Sequence, residues 1–308
     1  MSPLTLVGKD PVLRSAAALA RRLAASRSPI LLVGATGTGK SHLARLIHQW
    51  GSHPAAPFVE WNAAGVPEAL MEAELFGVRH GAATGVEERP GVFEAVGRGT
   101  LCLTGLEHLH IPQQAALLRI VDHQAFERIG GGGHLRAEAR MLATFQEPPE
   151  ALIRRGLLRD DLLYRLDVVR LELPTLAQRR SDVALLAIHF LKLACRKHRN
   201  SVPEMSQDLI HALEKHHWPG NLWELSQRME ALALLDAAVV TAEMLPASFW
   251  ADPAPVEDAL SRRLTLAELK DGYIRAVLAR VGGNRSRAAR WLGLSRKALW
   301  AHLRRTSN

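Results

Sequence analysis

The stretch Gly34-Ala35-Thr36-Gly37-Thr38-Gly39-Lys40-Ser41 fits the pattern of a phosphate-binding loop. Its spacing has a chemical meaning. The glycines let backbone N–H groups converge on a polyphosphate at the positive end of a helix. Lys40 would reach the β and γ phosphates, and Ser41 would hold Mg2+. Gly34, Ala35, Thr36, Gly37, Thr38, Gly39, Lys40 and Ser41 are therefore the expected site for ATP or ADP with Mg2+. Basic residues after Ser295 point to a second chemistry: Arg296, Lys297, Arg304 and Arg305 lie on a stretch of helical period suited to a polyanion. The 14 histidines, including His108 with His110 and His216 with His217, lack the convergent Cys or acidic partners of a metal centre.

These residues need elements to position them. Pro29 to Val33 is an apolar run that reads as a buried parallel strand, and His42 to Trp50 follows with Leu43, Leu46, Ile47 and Trp50 at helical spacing. Further strands are expected at 58–61, 99–104 and 140–145, and helices at 12–23, 67–75 and 112–122. Two glycine-rich segments, 77–91 and 130–133, read as loops. This alternation predicts an α/β fold with a parallel sheet covered on both faces. From Ser181 onward the pattern is helical, over 182–197, 206–216, 222–235 and 242–245, with Ser181 and Ser206 as N-caps. Asp252-Pro253-Ala254-Pro255 reads as a linker. Leu266, Leu269, Ile274, Val277, Leu278 and Val281 then mark a long amphipathic helix stopped by Gly282-Gly283-Asn284. A short helix over 286–292, a turn at Gly293-Leu294 and a last helix capped by Ser295 complete a helix-turn-helix layout. The expected domains are a nucleotide-binding domain at 1–178, a helical lid at 179–250, a linker at 251–263 and a DNA-binding domain at 264–308.

Composition narrows the class. The 308 residues are 47% hydrophobic and 23% charged, as in an ordinary folded protein of two or three domains. No apolar run of about 18 residues occurs and the start lacks signal-peptide order, so a cytoplasmic protein without membrane contact is expected. Cys102 and Cys195 form no C-x-x-C and read as buried thiols. The net charge is +8, but its distribution matters more. Residues 260–308 carry twelve Lys and Arg against Glu268 and Asp271, while the rest of the chain carries 27 bases against 29 acids. The excess positive charge is confined to one end, which predicts double-stranded DNA as a partner. Ser295 to Arg305 would enter the major groove, with Arg296 and Lys297 near the bases, and Arg285, Arg287 and Arg304 on the backbone. Trp291 and Leu292 read as core, and Trp300 as either core or a DNA contact. Such a domain works as a two-fold pair on a palindromic site.

The phosphate loop is joined by Pro57-Phe58-Val59-Glu60-Trp61-Asn62, Glu74-Leu75-Phe76-Gly77, Phe126-Glu127-Arg128-Ile129-Gly130, Arg159 through Leu166, Trp218-Pro219-Gly220-Asn221 and Ala288 through Arg296. In that order and spacing the chain resembles the AAA+ activators of sigma-54 RNA polymerase, the bacterial enhancer-binding proteins, in the short form without an N-terminal sensory domain and with a Fis-type helix-turn-helix. The resemblance implies a ring-forming ATPase whose surface loop engages the sigma factor. It implies that Arg159 and Arg165 are arginine fingers projecting into a neighbour's nucleotide site, and that Asn62 couples the γ-phosphate to the loop.

Other family residues are missing. The Asp-Glu pair that ends the third strand, positioning Mg2+ and polarising water, is replaced by Thr104 and Gly105. Loss of such a carboxylate costs about two to four orders of magnitude in rate. Glu107 would have to reach back to substitute. The sigma-contacting loop Gly-Ala-Phe-Thr-Gly-Ala stands here as Gly81-Ala82-Ala83-Thr84-Gly85-Val86, without its aromatic. The sensor Asn is read at Phe145, and the lid's sensor Arg at Trp223. The expectation is a DNA-binding regulator with an ATP-binding core deficient in hydrolysis, acting by DNA occupancy, by self-association as a dimer or ring, or beside an active AAA+ paralogue. The alternatives are an active sigma-54 activator that meets RNA polymerase holoenzyme with non-standard catalytic residues, and a DNA-binding protein whose AAA+ domain is only a scaffold.

Overall fold

The computed structural model describes residues 5–79, 88–250, 265–280, 285–294 and Leu299. The chain divides into two compact units, 1–244 and 245–308. In the first, five parallel strands form one sheet: β1 (Ile30–Val33), β2 (Phe58–Asn62), β3 (Thr100–Thr104), β4 (Arg140–Phe145) and β5 (Val169–Glu172), in the spatial order β2-β3-β4-β1-β5. The edge strand β5 escapes sequence reading because Val169-Arg170-Leu171-Glu172 is only four residues long and half charged.

Helices cover both faces, and the period of two along each strand decides which side chain meets which layer. Leu31, Val33, Leu101, Leu103, Met141, Ala143 and Phe145 pack with α3 (Met71–Phe76), α4 (Ile111–His123) and α5 (Asp160–Leu166). Ile30, Leu32, Cys102, Leu142 and Leu171 pack with α1 (Pro11–Leu23) and α2 (Lys40–Gln49). Both cysteines are buried and free. The helix expected over 67–75 is split, with a 3-10 turn at Glu68–Leu70 before α3.

The helical part of this unit comprises α6 (Val183–His198), α7 (Gln207–Lys215) and α8 (Asn221–Ala233). Ser206 caps α7, accepting from Leu209 N at 3.4 Å. Ser181 does not cap α6. It lies within a 3-10 turn, Arg180–Asp182, and the capping position belongs to Asp182. The Asp182 carboxylate is turned instead to the backbone N–H of Lys9 at 2.6 Å and of Asp10 at 3.3 Å, fixing the residues that lead into α1. The segment read as a helix at 242–245 is a 3-10 turn, Ala242–Met244. A two-residue parallel pairing of Glu204–Met205 with Val239–Val240, also absent from the sequence reading, closes this part.

In the second unit, α9 (Leu266–Arg280) and α10 (Arg285–Trp291) pack through Ile274, Val277, Ala288 and Ala289, with Leu299. Leu292 is partly buried against this cluster, whereas Trp291, expected in the core, is exposed. Leu266 opens α9 and is exposed too. Among the described residues no helix is long and apolar enough to cross a membrane.

Candidate nucleotide-binding site

At the C-terminal ends of the strands lies a cavity of about 580 Å³, where an open parallel sheet offers its ligand crevice. The loop between β1 and α2 forms one wall. Gly37 (φ +76) and Gly39 (φ +106) hold the left-handed conformations that curl the loop, and a Cβ on Gly37 would stand 2.4 Å from the Gly220 carbonyl oxygen. The Thr38 hydroxyl donates to Ala35 O at 2.8 Å, and the buried Arg179 guanidinium donates to Thr38 O at 2.9 Å. Gly34 N donates to Phe145 O at 3.1 Å, anchoring the loop to β4.

Lys40 Nζ donates to the Gly34 and Ala35 carbonyls at 2.5 and 3.0 Å, inside the loop it would share with phosphates. Burial pulls this ammonium below its ordinary pKa, and the charge of Glu107 pulls it partly back. Glu107 lines the same cavity, and its Oε2 is enclosed without a hydrogen-bond partner. Ser41, in the first turn of α2, donates its hydroxyl proton to Glu60 Oε1 on β2, while Arg45, one turn later, holds Glu60 Oε2 at 3.1 Å.

Strand register explains the floor. Asn62 is opposite Thr104, and Thr104 is opposite Thr144, so three neighbouring strands deliver one row of polar residues to the cavity. Asn62 Oδ1 accepts from Ala64 N at 3.1 Å. The Thr104 hydroxyl donates to Trp61 O at 3.3 Å, and Gly105 is left-handed (φ +68). Position 105 has little room: a Cβ there would lie 3.0 Å from Asn62 Oδ1. The carboxylates that the resemblance expects at these two places are absent, and the cavity's acids come from Glu60 and Glu107.

At the position read as the family's sensor Asn, the side chain does not face the cavity. Phe145 is 1% exposed and packs in the core beneath β4, whereas the residue that reaches the cavity is Gln146, whose side-chain oxygen accepts from Thr36 Oγ1 at 2.9 Å. All six β4 residues are buried, so hydropathy gives no phase for the alternation. The group that the end of β4 presents to the cavity is thus an amide. Trp223 does line the cavity and is 68% exposed, with no charge to offer a phosphate. Sequence reading also missed Arg179 and Glu60. Glu60 had a signal: it is the one charged residue of β2 and shares the strand face of Asn62.

Arg159 and Arg165 do not line this cavity. Arg159 Nε and Nη2 are held by Asp161 at 2.9 and 2.6 Å, an interaction that raises the guanidinium's pKa, and Arg165 Nε is held by Asp122 at 2.7 Å. In the second unit, Arg285 and Arg287 are exposed on α10. Ser295, Arg296, Lys297, Trp300 and Arg304 lie outside the described residues, as does the loop Gly81–Val86. Among the described residues, no three His, Cys, Asp or Glu side chains gather as a metal-holding group.

A parallel sheet with the phosphate loop at its crevice and a helical lid define a P-loop NTPase fold, followed by a helical unit. Family models sharpen this. The sigma-54 interaction domain matches residues 6–172, the AAA+ ATPase lid domain 177–261, and the Fis family of bacterial regulatory proteins 265–305. The chain belongs to the sigma-54-dependent transcriptional regulators. It is 35% identical over 306 residues to the transcriptional regulatory protein ZraR of Escherichia coli K12, covering 99% of this chain and 69% of that one. It is 34% identical over 316 residues to the transcriptional activator RocR of Bacillus subtilis, covering 99% and 68%. A crystal structure of NtrX from Brucella abortus in complex with ADP superposes with a TM-score of 0.74 at 32% identity, covering 98% of this chain and 69% of that one.

Proposed function

We propose that this protein is a DNA-binding transcription regulator that holds ATP or ADP in the β-strand-end cavity and turns it over slowly. The observation that carries the reading is the end of β3, where Thr104 and Gly105 leave no carboxylate at the position from which the family orients metal and water. The phosphate loop, with Lys40 and Ser41 facing the cavity and Arg179 bracing it, supports nucleotide binding. The similarity to NtrX, crystallised with ADP and with ATP, supports it further. Ser41 and Glu60 are hard oxygen donors that would hold Mg2+, which when bound would screen the phosphate charge. Lys40 would trade the carbonyls of Gly34 and Ala35 for phosphate oxygens.

Output would pass through the basic C-terminal unit, on double-stranded DNA with two-fold symmetry, with self-association as a dimer or ring. Ala83, where the family's loop carries an aromatic, weighs against conventional contact with the sigma factor. Arg159 and Arg165 serve a neighbour in this reading, so the chain can act inside a ring with an active paralogue. Steady-state ATP turnover measured beside ATP and ADP affinity on one preparation tests it. Tight binding with turnover little above a Lys40→Ala control is the expected result.

Glu107 favours a second reading, an active sigma-54 activator with non-standard catalytic residues. Its enclosed, unpartnered oxygen sits in the cavity near Lys40. Turnover well above the Lys40→Ala control, abolished by Glu107→Gln, together with open-complex formation by sigma-54 holoenzyme, would decide for that reading.

A further inference from the structure

We propose that Glu60 is the carboxylate that holds the nucleotide's divalent cation in this chain, taking over from β2 the role that Thr104 cannot fill on β3. The inference rests on the reading that the cavity binds nucleotide. A serine hydroxyl that ligates a cation keeps its proton, so it needs an acceptor for that proton and a lone pair left for the ion. Ser41 meets both needs here: its hydroxyl proton goes to Glu60 Oε1, and its oxygen borders the cavity. The acceptor is a full negative charge, which adds attraction for the ion. Both donors are hard oxygens, the kind that would suit Mg2+.

The placement follows from the fold. Glu60 shares its strand face with Asn62, pairs in register with Cys102, and meets the first turn of α2, where Ser41 and Arg45 stand one turn apart on the same side. Thr104 is uncharged, and its hydroxyl is engaged by the Trp61 carbonyl. Arg45 competes for the other oxygen of Glu60, but its own side chain is half exposed, which weakens the pair. Glu107 is the other acid of the cavity. It stands by Lys40 and makes no hydrogen bond to Ser41.

The test measures ATP affinity of the full chain by calorimetry, in EDTA and in Mg2+, for the wild type, Glu60→Gln, Glu107→Gln and Ser41→Ala. The wild type should bind about tenfold or more tightly with Mg2+. Glu60→Gln and Ser41→Ala should each reduce that ratio to about twofold or less, without additivity when the two are combined. Glu107→Gln should keep the wild-type ratio. Mn2+ electron paramagnetic resonance supplies a second readout: ATP-dependent Mn2+ binding should disappear in Glu60→Gln. Glu60→Asp guards against a purely structural effect, since the shorter carboxylate should retain part of the Mg2+ dependence that the amide loses. A Glu60→Gln protein with the wild-type Mg2+ ratio, or loss of that ratio in Glu107→Gln instead, overturns the assignment. Absence of ATP binding to the wild type in both conditions overturns the nucleotide reading itself, and this inference with it.

Discussion

The Asn221 side chain joins the lid to the phosphate loop: its Nδ2 donates to Thr36 O at 2.8 Å, and its Oδ1 accepts from Leu176 N at 2.8 Å. It is 2% exposed and left-handed (φ +50), a conformation that Asn tolerates better than most residues. The next residue, Leu222, donates its N–H to Gly37 O at 2.9 Å. Replacing Asn221 by Ala leaves two backbone groups unsatisfied and strains the turn, so stability should fall by about 2–4 kcal/mol. A shift of the urea midpoint at constant m-value measures this. ATP affinity should fall as well, because the loop loses its tether.

Restoring the acids at the end of β3 should restore turnover. Thr104→Asp with Gly105→Glu is expected to raise steady-state hydrolysis by about 100-fold. The Gly105 change carries a stability penalty of about 1–2 kcal/mol, because φ is +68 and the new Cβ crowds Asn62. A double variant as slow as the wild type would show that those positions do not limit the rate.

Arg159 is held by Asp161 outside the chain's own cavity, so Arg159→Ala should leave ATP affinity within about twofold of wild type. Mixed with an active AAA+ relative, the wild-type chain should stimulate turnover and Arg159→Ala should not. No stimulation across candidate partners removes the finger-donor role.

Stability should fall as pH drops through the histidine range. Burial lowers the His48 pKa from its ordinary 6.5, and its Nδ1 lies 2.9 Å from Thr100 Oγ1. Unfolding therefore takes up a proton below pH 6.5, and stability rises with pH until the unfolded pKa is passed. His189, also lowered by burial, adds the same sign. Denaturation curves at pH 5 and pH 7.5 should differ, and His48→Gln should reduce the difference.

DNA affinity should fall steeply with salt. Arg285 and Arg287 are exposed on α10, and if each contacts a phosphate, its replacement by Ala reduces the slope of log K against log salt by about 0.9. An unchanged slope places both off the DNA backbone.

Contiguous features were legible in the sequence. The phosphate loop, the strand before it and the helix after it are neighbours along the chain, so local spacing carries their geometry. The confinement of positive charge to residues 260–308 is likewise a fact of composition, as is the absence of acids at Thr104 and Gly105. Tertiary structure decided what depends on side-chain phase and on long-range contact. Six consecutive buried residues hide the alternation of β4, and only packing shows that Phe145 faces the core while Gln146 faces the cavity. Glu60 and Ser41 are 19 residues apart, and nothing local couples them; the docking of α2 on the sheet brings carboxylate and hydroxyl together. Glu107 looked out of reach beyond the strand end, yet the left-handed turn at Gly105 precedes its placement along the cavity. The sequence determined which chemical groups the site lacks, and the fold decided which others stand in the space they left.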